Sequence, residues 1–87
     1  MALPAPSWII GVLAGTLTTA SFVPQVVKAW RTRSLADFSL SMLLTFAIGV
    51  ALWVVYGVMI GGAPIVIFNA VTLALALALL AMKLRFG

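Results

Sequence analysis

Lys28-Ala-Trp-Arg-Thr-Arg-Ser-Leu-Ala-Asp37 decides the fold, because it holds four of the six charged residues in an 87-residue chain. On its N-terminal side, Ser7 to Val27 is a run of 21 residues without a charge. At about 1.5 Å per residue such a helix is roughly 30 Å long, the thickness of a bilayer's hydrocarbon core. On its C-terminal side, Phe38 to Ile60 gives 23 uncharged residues. Gly61-Gly62-Ala63-Pro64 then reads as a tight turn, since paired glycines break a helix and proline suits the first turn of the next. Ile65 to Met82 adds a third run of 18 residues before Lys83 and Arg85. The sequence therefore predicts an all-α membrane protein, residues 1–87 forming one three-helix unit with spans at about 7–27, 38–60 and 64–82.

Composition agrees. The chain is 66% hydrophobic and 7% charged, with a mean hydropathy of +1.33. A water-soluble domain of this size lacks the polar material to cover its exterior on those numbers. With no Cys and no His, disulfide frameworks, zinc centres and Cys/His nucleophiles are excluded, and no enzyme chemistry or cofactor is expected. The net charge of +4 reads as a signal that orients spans rather than as a grip on nucleic acid. The first run has no basic residue before it and is long for a signal-peptide core, so it is expected to be retained. All five basic residues fall in the first loop or the C-terminal tail. The positive-inside rule then puts loop and tail in the cytoplasm and the N-terminus outside. Asp37, the only acid, is expected to cap the second helix.

Three helices alone form at best a solid triangle with no room for a solute. Either the protein packs against others, or copies combine around a path. Identical copies insert the same way up, so a homodimer is expected to be parallel, with six spans about an axis along the membrane normal. Met42, Phe46, Gly49, Trp53, Tyr56 and Gly57 share a stripe on the second span. Trp53 lies roughly 10 Å inside Ile60 and Asn69 roughly 8 Å beyond Pro64, at similar depth. An indole face beside a membrane amide suits a carbohydrate, whose C–H face packs on the ring while hydroxyls bond the amide. The same two residues also suit plain helix packing, with Asn69 as interhelical glue and Trp53 as filler. Pro24 removes a backbone bond and crowds the carbonyl of Ala20, so a bend is expected there, with the Gln25 amide beside it. Gly11-Val-Leu-Ala-Gly15 fits a small-xxx-small pattern, a weak sign of a dimer seam. The Leu/Ala alternation from Leu73 to Leu80 reads as a packing surface. No Asp, Glu, Lys, Arg or His falls within a predicted span, so ion-coupled pumping is not expected and any cargo is neutral and moves down its own gradient.

The string Thr18-Thr-Ala-Ser-Phe-Val-Pro24-Gln25, the loop ending Ser34-Leu-Ala-Asp37-Phe-Ser39-Leu-Ser41-Met42, the run Leu52-Trp53-Val-Val-Tyr56-Gly57 and Asn69 together resemble the bacterial SemiSWEET sugar transporters of the PQ-loop superfamily. The likeness runs in order through nearly the whole chain. SWEETs are themselves a known case of parallel repeats about an axis along the membrane normal. The resemblance implies a multi-pass protein of the bacterial inner membrane. It also implies a homodimeric 3+3 uniporter that moves mono- or disaccharides in either direction by alternating access. Trp53 and Asn69 of both copies would hold the sugar, Pro24 and Gln25 would form the hinge, Tyr56 would close the extracellular side, and Met42 with Phe46 the cytoplasmic side. One departure is visible: some relatives place charged residues just after the tyrosine, whereas this chain has Val58-Met59-Ile60-Gly61-Gly62. The readings that compete are carriage of another neutral solute by the same fold, a small subunit that transports nothing, and a pore-forming toxin or holin.

Overall fold

A computed structural model of the protein describes residues 5–87. It contains three helices: α1 (Ala5–Thr32), α2 (Leu40–Ile60) and α3 (Ala63–Phe86). All three are long and apolar enough to cross a membrane. Two of the helices extend beyond the uncharged runs. α1 runs past Val27 through the basic segment, because Lys, Ala, Trp and Arg are all compatible with helix and Arg31 in the last turn suits the negative end of the dipole. α3 likewise continues past Met82, with Lys83 and Arg85 in its last turn. Charged side chains thus sit within the helices, but only toward the loop end of the bundle.

Both connections have local causes. α1 ends where Arg33 turns left-handed, at φ 56°. Its guanidinium carbon lies 4.1 Å from the Trp30 ring centre and 5.1 Å from that of Phe86, cation–π contacts that offset the backbone cost. Phe38 N–H then donates to the Leu35 carbonyl at 3.0 Å and closes a turn with Asp37 exposed in it. Asp37 does not cap α2, contrary to expectation. Ser39 does: its extended backbone brings Oγ to accept from Met42 N–H at 3.0 Å. At the other end, Gly61 takes φ 68°, and the N–H groups of Gly61 and Gly62 donate to the carbonyls of Val58 and Gly57. This Schellman closure, followed by Pro64 in the first turn of α3, is the tight turn read from the sequence.

The helices do not form a triangle. α3 lies between the other two, and no Cα of α1 comes within 8 Å of one of α2. α1 and α3 run parallel at a constant offset of 53 positions: Gly11 packs on Pro64, Gly15 on Phe68, and Thr19 on Thr72. A Cβ on Gly15 would overlap the Phe68 ring, so the Gly11/Gly15 pair serves packing within the chain and is not a dimer seam. The Thr19 and Thr72 hydroxyls lie 2.9 Å apart, and Thr19 also donates to the Phe68 carbonyl at 3.3 Å. On the opposite side α2 meets α3 antiparallel, where Gly57 lets the helices close over Ile65 and Val66.

The core sits at the loop end. Ala29, Leu35, Leu43, Leu79 and Met82 are buried there, edged by Phe22, Val26, Phe38, Leu80 and Phe86. Leu35 is the connector's anchor, at 0% exposure, and Lys83 Nζ donates to its carbonyl at 3.2 Å. Burying such a side chain is worth about 1.5–3 kcal/mol, so the connector is bolted onto the end of α3.

Candidate functional site

With α3 in the middle, α1 and α2 become the two walls of a trough and α3 its floor. The row of α2 that faces α3 is Leu43, Ala47, Val50 and Gly57. The stripe Met42, Phe46, Gly49, Trp53 and Tyr56 lies about a quarter turn around the helix from it, so it flanks the trough. Gly57, expected in that stripe, belongs instead to the row that packs on α3.

Two recesses occupy the trough. One of about 280 Å³ lies toward the Gly61–Pro64 end, between Gly11, Ala14 and Gly15 of α1 and Pro64, Ile65 and Phe68 of α3. The second, of about 330 Å³, lies toward the loop end, between Ser21 and Phe22 of α1, Phe46 and Val50 of α2, and Thr72 of α3. Thr18, Trp53 and Asn69 line both and so form the border between them. Trp53 and Asn69, placed at equal depth by arithmetic on the sequence, are thus brought to one place by the fold. None of the residues lining the two recesses is charged.

The polar groups at this border keep unused hydrogen-bonding capacity. Asn69 Nδ2 donates to the Ile65 carbonyl of its own helix at 2.9 Å, which fixes the amide and leaves its oxygen as an acceptor. Thr18 Oγ1 donates to the carbonyls of Ala14 at 3.0 Å and Gly15 at 3.2 Å, and so retains lone pairs. Ser21 donates to the Thr18 carbonyl at 2.7 Å in the same manner. Trp53 is 54% exposed, and Tyr56 stands edge-on to it at 5.6 Å between ring centres. Trp53 also borders a further hollow of about 360 Å³ with Gly49, Leu52 and Tyr56.

The remaining sequence-predicted residues are spread along the same path. Phe46 stacks on Phe22 at 4.9 Å, the contact that spans the trough between α1 and α2. Met42 is exposed in the first turn of α2, nearer the loop end. Pro24 lies inside α1, three residues past Ser21. Thr16, Thr18 and Ser21, which bond back to carbonyls one turn earlier, precede it. Such back-bonding and a missing proline N–H both weaken the ladder in one segment. Gln25 is exposed and lines a separate recess at the loop end. Sequence reasoning missed Thr18, Ser21 and Thr72 as lining groups. A signal was present: Thr18 and Ser21 are three apart on one face of α1, and Thr72 is one turn from Asn69.

Comparison with known proteins places this geometry. The profile of the PQ loop repeat matches residues 6–66. The chain is 48% identical over 79 residues to the sugar transporter SemiSWEET of Bradyrhizobium diazoefficiens, covering 91% of this chain and 92% of that protein. Among solved structures it is similar to a bacterial homologue of SWEET transporters, with a TM-score of 0.87 at 40% identity over 93% of this chain and 98% of the other. It also resembles SemiSWEET in the inward-open conformation, with a TM-score of 0.85 at 35% identity over 94% of this chain and 88% of that one.

Proposed function

Since the chain belongs to the SemiSWEET family of PQ-loop membrane proteins, we propose that it carries mono- or disaccharides across the membrane by facilitated diffusion, as a parallel homodimer working by alternating access. The observation that carries this reading is the shared border of the two recesses, where an indole face, an amide oxygen and the Thr18 hydroxyl meet without a charge nearby.

Physical reasons favour two copies. A half-exposed Trp53 beside the Asn69 amide cannot face lipid cheaply, because the amide oxygen, left without a hydrogen bond in hydrocarbon, costs on the order of several kcal/mol. A second chain, inserted the same way up, sets its own trough opposite and turns two open half-sites into one enclosed cavity. The sugar then meets each lining group twice. Its C–H faces pack on the two Trp53 rings, and its hydroxyls donate to the Asn69 oxygens and Thr18 lone pairs. Tyr56 with Trp53 closes the Gly61–Pro64 side, and Met42 with the Phe46–Phe22 stack closes the loop side. Bending at Pro24, with Gln25 beside it, exchanges the two closures. This chain has only apolar residues and glycine after Tyr56, so its outer closure rests on ring and backbone contact. On this reading the protein lies in the bacterial inner membrane with the basic loop and tail on the cytoplasmic side, as the positive-inside rule favours, and the N-terminus outside. No ionisable group lines the trough, so the flux needs no ion gradient.

Reconstitution tests this. Liposomes holding the purified protein take up radiolabelled glucose or sucrose without an ion gradient, and Trp53→Ala and Asn69→Ala each abolish uptake while the dimer stays intact. Normal uptake by both variants would remove these residues from the site.

A further inference from the structure

The loop-end recess beside Gln25 is not part of the trough. It holds about 440 Å³, within the ~300–1,000 Å³ typical of small-molecule sites. Its walls are Gln25, Lys28 and Thr32, which share one face of α1's last two turns, and Ser34, Asp37 and Phe38 of the connector folded back over them. The connector is held there by the buried Leu35 and by the Lys83 bond to the Leu35 carbonyl. The recess is therefore a preformed feature rather than a gap under a loose loop. Gln25 lies one turn beyond Ser21, roughly 6 Å along the helix, so the recess opens beside the loop-end mouth of the trough.

We propose that this recess is a second sugar-binding site, one per chain, at which a neutral polyhydroxylated guest rests on its way into or out of the trough. The chemistry of the lining supports that class over others. Lys28 brings ammonium donors and Asp37 carboxylate acceptors, so the recess has no net charge. An anion would meet the Asp37 carboxylate and a cation the Lys28 ammonium. A sugar hydroxyl both donates and accepts, and so can use both. Gln25 adds a donor and an acceptor. Ser34 Oγ accepts from Ala36 N–H at 3.4 Å and keeps its own proton to donate. Thr32 Oγ1 donates to the Lys28 carbonyl at 2.8 Å and keeps its lone pairs. Half-buried Phe38 supplies an apolar wall for the ring's C–H groups. The choice of a sugar as guest rests on the transport reading above.

The chain contains no cysteine, so Thr32→Cys creates a single reporter thiol in the recess. Its rate of reaction with a small polar maleimide is measured with and without glucose, in the otherwise native chain and in Trp53→Ala and Asn69→Ala backgrounds. All proteins are checked for monodisperse elution, and the two backgrounds guard against either one misfolding. Four-fifths occupancy by glucose slows labelling about fivefold, and this protection persists in both backgrounds because it does not depend on the trough. Lys28→Met with Asp37→Ala removes it. Loss of protection in the two trough backgrounds, persistence in the Lys28/Asp37 double variant, or equal protection by glycine or inorganic phosphate would each overturn the proposal. Failure of the transport reading registers separately, as the absence of sugar uptake by liposomes holding the otherwise native chain.

Discussion

Among the glycines of the described residues, Gly15 against Phe68 is the tightest contact. A Cβ placed on Gly15 would stand 2.6 Å from the Phe68 Cβ and closer still to its ring, where ordinary contact begins at 3.4 Å. Rotating the ring cannot relieve this, because the Phe68 Cβ is fixed to the α3 backbone. α1 and α3 must part by nearly an ångström. Overpacking of this kind costs about 1–3 kcal/mol, against roughly 1 kcal/mol gained by replacing a mid-helix glycine with alanine. Gly15→Ala is therefore expected to be destabilised by up to about 2 kcal/mol, a fall in melting temperature of roughly 8–16 °C on the scale of small domains. Gly49→Ala is the matched control, since a Cβ there meets nothing within 4 Å in the single chain. Only the helix-propensity gain of about 1 kcal/mol applies, and the midpoint rises by a few degrees. The assay is thermal unfolding in detergent, followed by helical circular dichroism. If Gly15→Ala melts above the parent, as Gly49→Ala is expected to, the parallel α1–α3 seam is not the one described. A fall for Gly49→Ala confined to dimeric protein would instead locate the partner on that face.

Three further outcomes are expected. Leu35→Ala hollows the loop-end core and frees the connector, costing about 2–5 kcal/mol and registering as a large drop in the same melting experiment. Thr18→Val keeps shape but deletes the one hydroxyl common to both recesses, so the concentration for half-maximal uptake rises up to about tenfold while elution as a dimer is unchanged. Uptake between about pH 5.5 and 8 stays flat, because no residue lining the trough titrates there; a sigmoid profile would implicate a group outside it.

Much of the molecule was legible because hydropathy and charge act along the chain. Runs without charge mark the spans, Gly61-Gly62 and Pro64 mark a turn whose backbone demands are local, and Trp53 and Asn69 reach equal depth by counting residues. Lateral arrangement obeys other rules. Nothing in the hydrophobic pattern says that α3 separates α1 from α2, because lipid is as good a neighbour for leucine as another helix. That choice is made by shape, through Gly11, Gly15 and Gly57, and by the Thr19–Thr72 pair; the glycine spacing is visible in the sequence, but which helix it meets is not. Thr18 and Ser21 escaped notice for the same reason: a hydroxyl that bonds back to its own helix is ordinary in a membrane, and only the trough gives its free lone pairs a meaning. Asp37 was misassigned because the turn closed by Leu35 and Phe38 puts the helix start two residues later, at Ser39.

The fixed offset of 53 positions between α1 and α3 bears on how the protein is made. The ribosome adds about 5–20 residues per second, so the first helix waits several seconds in the bilayer before its docking surface has been synthesised. During that delay the glycine face of α1 is covered only by lipid, and Thr19 can satisfy its hydroxyl only on its own backbone. The second helix arrives in the interval but shares no backbone contact with the first. A nascent chain halted before Ala63 therefore consists of two spans joined by little beyond the Phe22–Phe46 stack and the connector, and biogenesis is expected to show resistance to protease that rises sharply when the final helix emerges.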